Sequence, residues 1–262
     1  MVGKEGVKYK PAVIKFIGLK GIPIVKKGAN IPSLIVKAAR ENGVTIEDGD
    51  IIIITHKIIS KAEGRVINLL RVKPSKIAKA FASELGKDPK LVEVVLREAK
   101  GIVRMGNGHL ITETKHGFIA AHSGVDLSNV DGGSSAVLLP LNPDESARRI
   151  REEIKRLTGR DIAVIITDTQ GRPLRKGAVN VAIGASGLET LVDLRGKEDL
   201  FGYKLRYTFI AVADELAAAA ELVMGQTNES IPVVIVKGYK FKKSEKATAK
   251  DLIRPKKEDL FI

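Results

Sequence analysis

Four consecutive isoleucines, Ile51–Ile54, fed by the tight turn Asp48-Gly49-Asp50, constrain this chain more than any other feature. β-Branched side chains are stiff about χ1 and crowd the preceding turn of a helix, so such a run is expected as a strand. No polar residue interrupts it at alternate positions, so both faces of that strand must be covered. Ile162–Ile166 and Ile231–Val236 read in the same way, and Pro11–Gly18 adds a strand ahead of the turn Leu19-Lys20-Gly21.

Helical spacing fills the intervals. Pro32–Asn42 predicts a helix closed by Gly43 in the left-handed conformation, and Pro74–Leu85 and Asp88–Ala99 predict two more, separated by Gly86. In Asp144–Leu157 the residues Ala147, Ile150, Ile154 and Leu157 share one helical face, and Gly159 ends it. Asp214–Met224 carries the stretch Ala217–Ala220 on a last helix. Short alternating segments at Gly101–Met105, His109–Glu113 and Gly117–Ala121 predict an antiparallel meander, and Val179–Ile183 and Leu205–Val212 predict further strands.

Strands and helices therefore mix without strict alternation. The expected fold class is α+β, a mixed α/β chain with largely antiparallel sheets and two subdomains. Residues 11–65 with 121–250 are expected to form the main domain, and 66–120 an inserted subdomain.

Composition narrows the function classes. The 262 residues are 44% hydrophobic and 29% charged, which suits a globular chain with a sizeable core. No apolar stretch approaches the roughly 18 residues of a membrane span. The N-terminal Met1–Lys10 is polar, with Lys4, Lys8 and Lys10 and no apolar signal segment, so a cytoplasmic protein is expected. Cysteine is absent, which excludes disulfides, thiolate zinc sites, iron–sulfur clusters and a thiolate nucleophile. Any metal must rest on oxygen or imidazole donors, a set that suits Mg²⁺ or Mn²⁺.

The formal net charge of +13 admits three readings. One is the solvated Lys/Arg/Glu surface of a heat-adapted protein. Another is attraction of a polyanionic small molecule. The third, a basic RNA-binding protein, is disfavoured because aromatics are only 4%, Trp is absent and no basic run is interleaved with stacking residues.

The familiar nucleotide signatures are missing. There is no G-x-x-x-x-G-K-[ST], no G-x-G-x-x-G after a strand and no G-x-S-x-G, so the fold is neither P-loop nor Rossmann. Other constellations remain. Asp168 follows the strand Ile162–Ile166 and precedes Thr169-Gln170-Gly171-Arg172, where a carboxylate at a strand end could hold a hard cation and Arg172 could clamp phosphate. Equally, Asp168 could cap a turn and pair with Arg172. Asp126 and Asn129, three residues apart, could meet at one ligand or serve as an ordinary N-cap. Lys61, in Ser60–Arg65 beyond the isoleucine strand, could reach phosphate as a point charge or lie on a solvated turn. His56, His109, His116 and His122 lack the spacing of a helical metal site; His56 stands out because it follows a buried strand. The glycines of Gly177–Gly187 allow close backbone approach, to a phosphate or to a packed strand, and Lys240–Lys246 reads as a solvated face.

In combination these segments resemble the coenzyme F420-0:L-glutamate ligase family. The resemblance rests on Gly21–Gly28, Asp48–Arg65, His122–Val130, Leu157–Arg172, Val181–Gly187 and Ala213–Gln226, in order, and above all on ISKAEGR, GVDLSNV, ITDTQGR and ADELA together. It implies GTP-dependent joining of L-glutamate to coenzyme F420-0, then a further glutamate by γ-linkage, by a homodimer that uses two divalent ions, Mg²⁺ or Mn²⁺, with K⁺ assisting. It further implies that Asp126 and Asp168 are ligands of one metal ion and Thr169 and Gln226 of a second. GTP contacts are implied at Ile22, Pro23, Ile24, Val25, His56, Lys57, Lys61 and Asn129, and along Met224, Gly225, Gln226, Thr227, Asn228, Glu229, Ser230 and Ile231. Two positions depart from the family pattern: small hydroxyl residues can stand where His56 and Lys57 do, and Glu where Gln226 does.

Chemistry gives the implied reaction its form. A carboxylate and an amine do not join without activation, because oxide is a poor leaving group, and no Cys is available for a thioester. An acyl phosphate formed on the nucleotide's γ-phosphate is expected, with Lys61 and Arg172 as additional phosphate clamps. Another nucleotide-dependent acid–amine ligase or kinase on the same scaffold is the rival enzyme class.

Overall fold

The computed structural model of the protein describes residues 11–260. The polar segment Met1–Lys10, read above for targeting, lies outside the described residues, as does the end of the charged tail. The chain opens with β1 (Lys15–Gly18), α1 (Ile31–Glu41), β2 (Ile51–Thr55), α2 (His56–Ala62) and β3 (Val66–Asn68). There follow α3 (Lys76–Leu85), α4 (Pro89–Glu98), β4 (Ala99–Gly106), β5 (His109–Thr114), β6 (Ile119–Ala121) and β7 (Ser135–Val137). Then come α5 (Pro143–Thr158), β8 (Ala163–Arg172), β9 (Arg175–Ser186), β10 (Val192–Asp193), β11 (Phe209–Ile210), α6 (Val212–Met224) and β12 (Val233–Lys237). Helix starts are written in side chains: Asn30 Oδ1 accepts from Ser33 N–H at 2.9 Å, Ser75 Oγ from Ala78 N–H at 3.1 Å and Asp88 Oδ1 from Lys90 N–H at 2.7 Å. Each such cap is worth about 1 kcal/mol.

The principal sheet has five strands in the order β1-β12-β2-β8-β9. Only β2 and β8 run parallel; every other pairing is antiparallel, and the architecture is α+β as expected. The unbroken isoleucine run is explained by cover on both faces. Ile52 and Ile54 pack with Val164, Ile166, Val233 and Ile235 against α1 and α5, whereas Ile51 and Ile53 pack with Ile165, Val234 and Val236 against α6. All four isoleucines are fully buried, each contributing about 1.5–3 kcal/mol relative to exposure. Gly184 lets α5 approach this sheet: a Cβ there would stand 2.5 Å from the Pro143 carbonyl carbon and oxygen.

Smaller pieces complete the chain. The meander β4-β5-β6 pairs antiparallel, and α3 and α4 pack with it around Ala78, Ala82 and Val92, and around Leu85, Val95 and Leu110. β3 pairs with β7, tying residues 66–68 to 135–137. Among the described residues no helix is long and apolar enough to cross a membrane.

Three local expectations are corrected. The strand expected at Leu205–Val212 shrinks to Phe209–Ile210, which pairs only with the two-residue β10, while Tyr207 is 87% exposed and Phe209 lies under the Arg195 guanidinium at 4.5 Å. Ser60 and Lys61 stand on the helix α2 rather than on a turn. The segment Thr167–Arg172 is no turn but the outer half of β8, held by its ladder to β9. The lysines of 240–246 are exposed, as expected of a solvated face, and two of them are paired: Lys243 Nζ lies 2.5 Å from Asp161 Oδ2 and Lys242 Nζ 2.6 Å from Glu189 Oε1.

Candidate functional site

Topology delivers the site. Because β2 and β8 are parallel, their carboxyl ends lie side by side, with Thr55 in register with Thr167. One residue further, β2 has turned into α2 at His56 while β8 continues to Asp168, and His56 Nε2 stands 3.2 Å from Asp168 Oδ1. His56 is 1% exposed and Asp168 9%. The antiparallel β12 enters the sheet at this same end, where Thr55 N–H donates to Pro232 O at 3.0 Å, so the loop from α6 into β12 borders it. β1 leaves there as well, with Gly18 opposite Val234, which brings Ile22–Val25 alongside. Ligands of open sheets containing parallel strands collect outside the carboxyl ends of those strands.

The result is a cleft of about 760 Å³. It gathers Ile22–Val25, His56, Lys57, Lys61, Asp126, Asn129, Asp168, Thr169 and Met224–Ile231 from separate segments of sequence. Thus the structure brings together every residue implied as a metal or GTP contact, and of the two further phosphate clamps it brings Lys61 but not Arg172. Arg172 lies four residues past Asp168, about 13 Å along an extended strand. It does not line the cleft: its guanidinium donates to Lys176 O at 2.6 Å and to Gly177 O at 3.2 Å, closing the β8–β9 hairpin. The placement of Arg172 beside Asp168, as a clamp or as a partner, is therefore corrected; the strand keeps running where a turn was expected.

Two lysines one turn apart on α2 face the cleft. Lys57 Nζ sits 2.7 Å from Asp126 Oδ2 and donates to Ser128 Oγ at 2.7 Å; Lys61 Nζ donates to Asn129 O at 2.6 Å. Burial lowers the Lys61 ammonium below its ordinary range, and the neighbouring Lys57 charge lowers it further. Burial pushes the Asp126 carboxyl up, but the Lys57 ammonium and the Ser128 N–H and hydroxyl together outweigh it and hold the group below its usual range. Asp126 caps no helix. Its Oδ1 accepts from Ser128 N–H at 2.7 Å in a tight turn, and its backbone bridges Val137. Asn129 and Ser230 both hold left-handed backbone, at φ 56° and 57°, a strained state that clusters at ligand sites.

A second group of oxygens lies one residue further out along β8. Thr169 Oγ1 is 2.7 Å from Asn180 Oδ1 and 3.4 Å from Gln226 Oε1. The donor set of the cleft, two carboxylates, a hydroxyl and an amide oxygen, is the hard-oxygen chemistry that suits Mg²⁺ or Mn²⁺. Among the described residues no three His, Cys, Asp or Glu side chains converge, so these donors would leave coordination positions for phosphate oxygens and water. Ser128, Asn180 and Glu221 escaped sequence reasoning. Asn180 left a signal, as the one polar side chain within Val179–Ile183.

Fold and cleft together define an α+β protein, outside the P-loop and Rossmann architectures, whose polar cleft opens at the carboxyl ends of a parallel strand pair. The chain belongs to the F420-0:gamma-glutamyl ligase family, whose model matches residues 20–238. It is 49% identical to the coenzyme F420:L-glutamate ligase of Methanothermobacter thermautotrophicus, over 95% of this chain and 98% of that one. To the enzyme of the same name from Methanocaldococcus jannaschii it is 51% identical, over 95% and 96%. To that of Archaeoglobus fulgidus it is 38% identical, over 94% and 96%.

Proposed function

We infer that the chain is an amide-forming ligase that joins L-glutamate to coenzyme F420-0 using GTP, and then adds a further glutamate by γ-linkage. Family membership supports the amide chemistry. The observation that carries the nucleotide reading is the meeting of Lys57 and Lys61 with Asp126 and Asp168 in one cleft. Ammonium groups and cation-binding carboxylates on one wall suit a triphosphate far better than a neutral ligand.

In this reading a carboxylate oxygen of the coenzyme attacks the γ-phosphorus, and the bond to GDP breaks. The glutamate amine then attacks the acyl carbon; the C–N bond forms, the C–O bond to phosphate breaks, and the amine releases its protons. Lys57 and Lys61 bind phosphate oxygens and hold the γ-phosphoryl group in line. Asp126 and Asp168 would hold one divalent ion and Thr169 and Gln226 a second. When bound, the ions supply charge neutralisation at the phosphates. The loop Met224–Ile231 and Ile22–Val25 wall the cleft and exclude water from the acyl phosphate. The same reading has the chain acting as a cytoplasmic homodimer, with K⁺ assisting.

Phosphate release tests the nucleotide assignment. Release should require GTP, a divalent ion and the coenzyme precursor together, and should fall sharply when ATP replaces GTP. Release from GTP that ignores the precursor would contradict the acyl-phosphate step.

A further inference from the structure

Gln226 is uncharged at a position where a divalent ion gains most from a carboxylate, and a carboxylate stands directly behind it. Glu221, in the last turn of α6, lies with Oε1 2.5 Å from Gln226 Nε2 while its Oε2 accepts from Asn180 N–H at 2.7 Å. Asn180 is 4% exposed. Its Nδ2 faces Thr167 Oγ1 at 3.5 Å and Met224 Sδ at 3.9 Å, which leaves Oδ1 to accept the Thr169 hydroxyl proton at 2.7 Å.

The proton count fixes the directions. A hydroxyl has one proton, so once Thr169 gives it to Asn180 its oxygen is an acceptor only. The Gln226 nitrogen is engaged by Glu221 and, at 3.0 Å, by Thr169, so its oxygen is the end left without a protein donor of its own. Two neutral oxygens thus stand 3.4 Å apart with one carboxylate behind them.

We propose that Glu221 and Asn180 are positioning residues for the cation at Thr169 and Gln226. Glu221 supplies the negative charge that Gln226 lacks and fixes its amide so that oxygen meets the ion. Asn180 accepts the Thr169 O–H hydrogen bond, so that a lone pair of that hydroxyl does the same. Neither touches reacting atoms. The inference rests on the reading of Thr169 and Gln226 as the second ion's ligands given under Proposed function.

The test is titration of the full chain with Mn²⁺ and GTP, followed by water proton relaxation, which responds to the nucleotide-bound ion as the protein immobilises it. Glu221→Gln keeps the shape and an acceptor for Asn180 N–H, and should weaken binding by about tenfold, the usual effect of losing an outer-shell partner. Glu221→Gln combined with Gln226→Glu moves the charge one residue along and should restore the wild-type midpoint, a rescue that a merely structural role for Glu221 would not give. An unchanged midpoint in the single variant overturns the proposal, and so does a double variant no better than the single. If Glu221→Gln does not fold, Glu221→Asp withdraws the charge by one methylene and must also raise the midpoint; no rise overturns the proposal. Glutamyl product is scored separately: intact titration shifts with no product in the wild type would sink the ligase reading alone, and product with no shift in the variants would sink this inference alone.

Discussion

Lys57 and Asp126, 69 residues apart in sequence, meet at 2.7 Å across the mouth of the cleft and join α2 to the loop that follows β6. The pair is half-exposed, with 20% of the Lys57 side chain and 37% of the Asp126 side chain accessible, so it adds little to stability. Its consequence is positional. It fixes an ammonium and a carboxylate side by side at the cleft.

Replacing Asp126 by Asn should therefore lower glutamate ligation more than tenfold, a barrier increase of about 1.4 kcal/mol or more. The melting temperature should hardly move. Turnover near wild type with saturating Mn²⁺ would contradict the role given to this carboxylate.

Lys61 makes a separable prediction. Its ammonium is anchored to Asn129 O at 2.6 Å, in the cleft. Lys61→Met should raise KM for GTP by about tenfold, with KM for L-glutamate little changed, as initial-rate kinetics would show. An equal rise in both constants would place Lys61 elsewhere in the reaction.

Acid stability should report the tail clamp. The Lys243 ammonium, with Arg151 beside it, outweighs burial and lowers the Asp161 carboxyl from 3.8 to about 2. A depressed folded value means that this stabilisation is present above pH 3.8 and is lost as the pH falls towards about 2. Asp161→Asn should thus lower the melting temperature at neutral pH, and the gap from wild type should close across that window in thermal melts.

The core sheet sets the scale of the scaffold's tolerance. Ile54 is fully buried between β8 and β12, so Ile54→Ala should destabilise by about 2–5 kcal/mol, measured by denaturant unfolding. Ile54 also lies one residue before Thr55, so partial loss of ligation should accompany the loss of stability.

How far the sequence foretold this molecule depends on where each residue's partner lies. The isoleucine run and its parallel neighbour Ile162–Ile166 were legible because a strand covered on both faces must be apolar throughout, whatever covers it. The outer half of β8 was not: Thr167 and Asp168 are polar though buried, Thr169–Arg172 leave the core, and polar residues at a strand end read as a turn. Helix α2 was hidden because His56–Ala62 is short and holds two isoleucines, so its helicity comes from packing rather than propensity. The site divides along the same line. Asp126, Asp168 and the lysines stood in recognisable motifs, whereas Asn180 and Glu221 gain their places from the register of β9 on β8 and from α6 packed over β9. No local pattern announces a residue whose partner is fixed by register.

The central claim is tested most directly by incubating the chain with GTP, Mn²⁺, L-glutamate and coenzyme F420-0 and weighing the coenzyme afterwards. The account predicts masses rising in steps of one glutamyl residue, with GDP and phosphate formed in equal number. Nucleotide hydrolysis with the coenzyme's mass unchanged would contradict it.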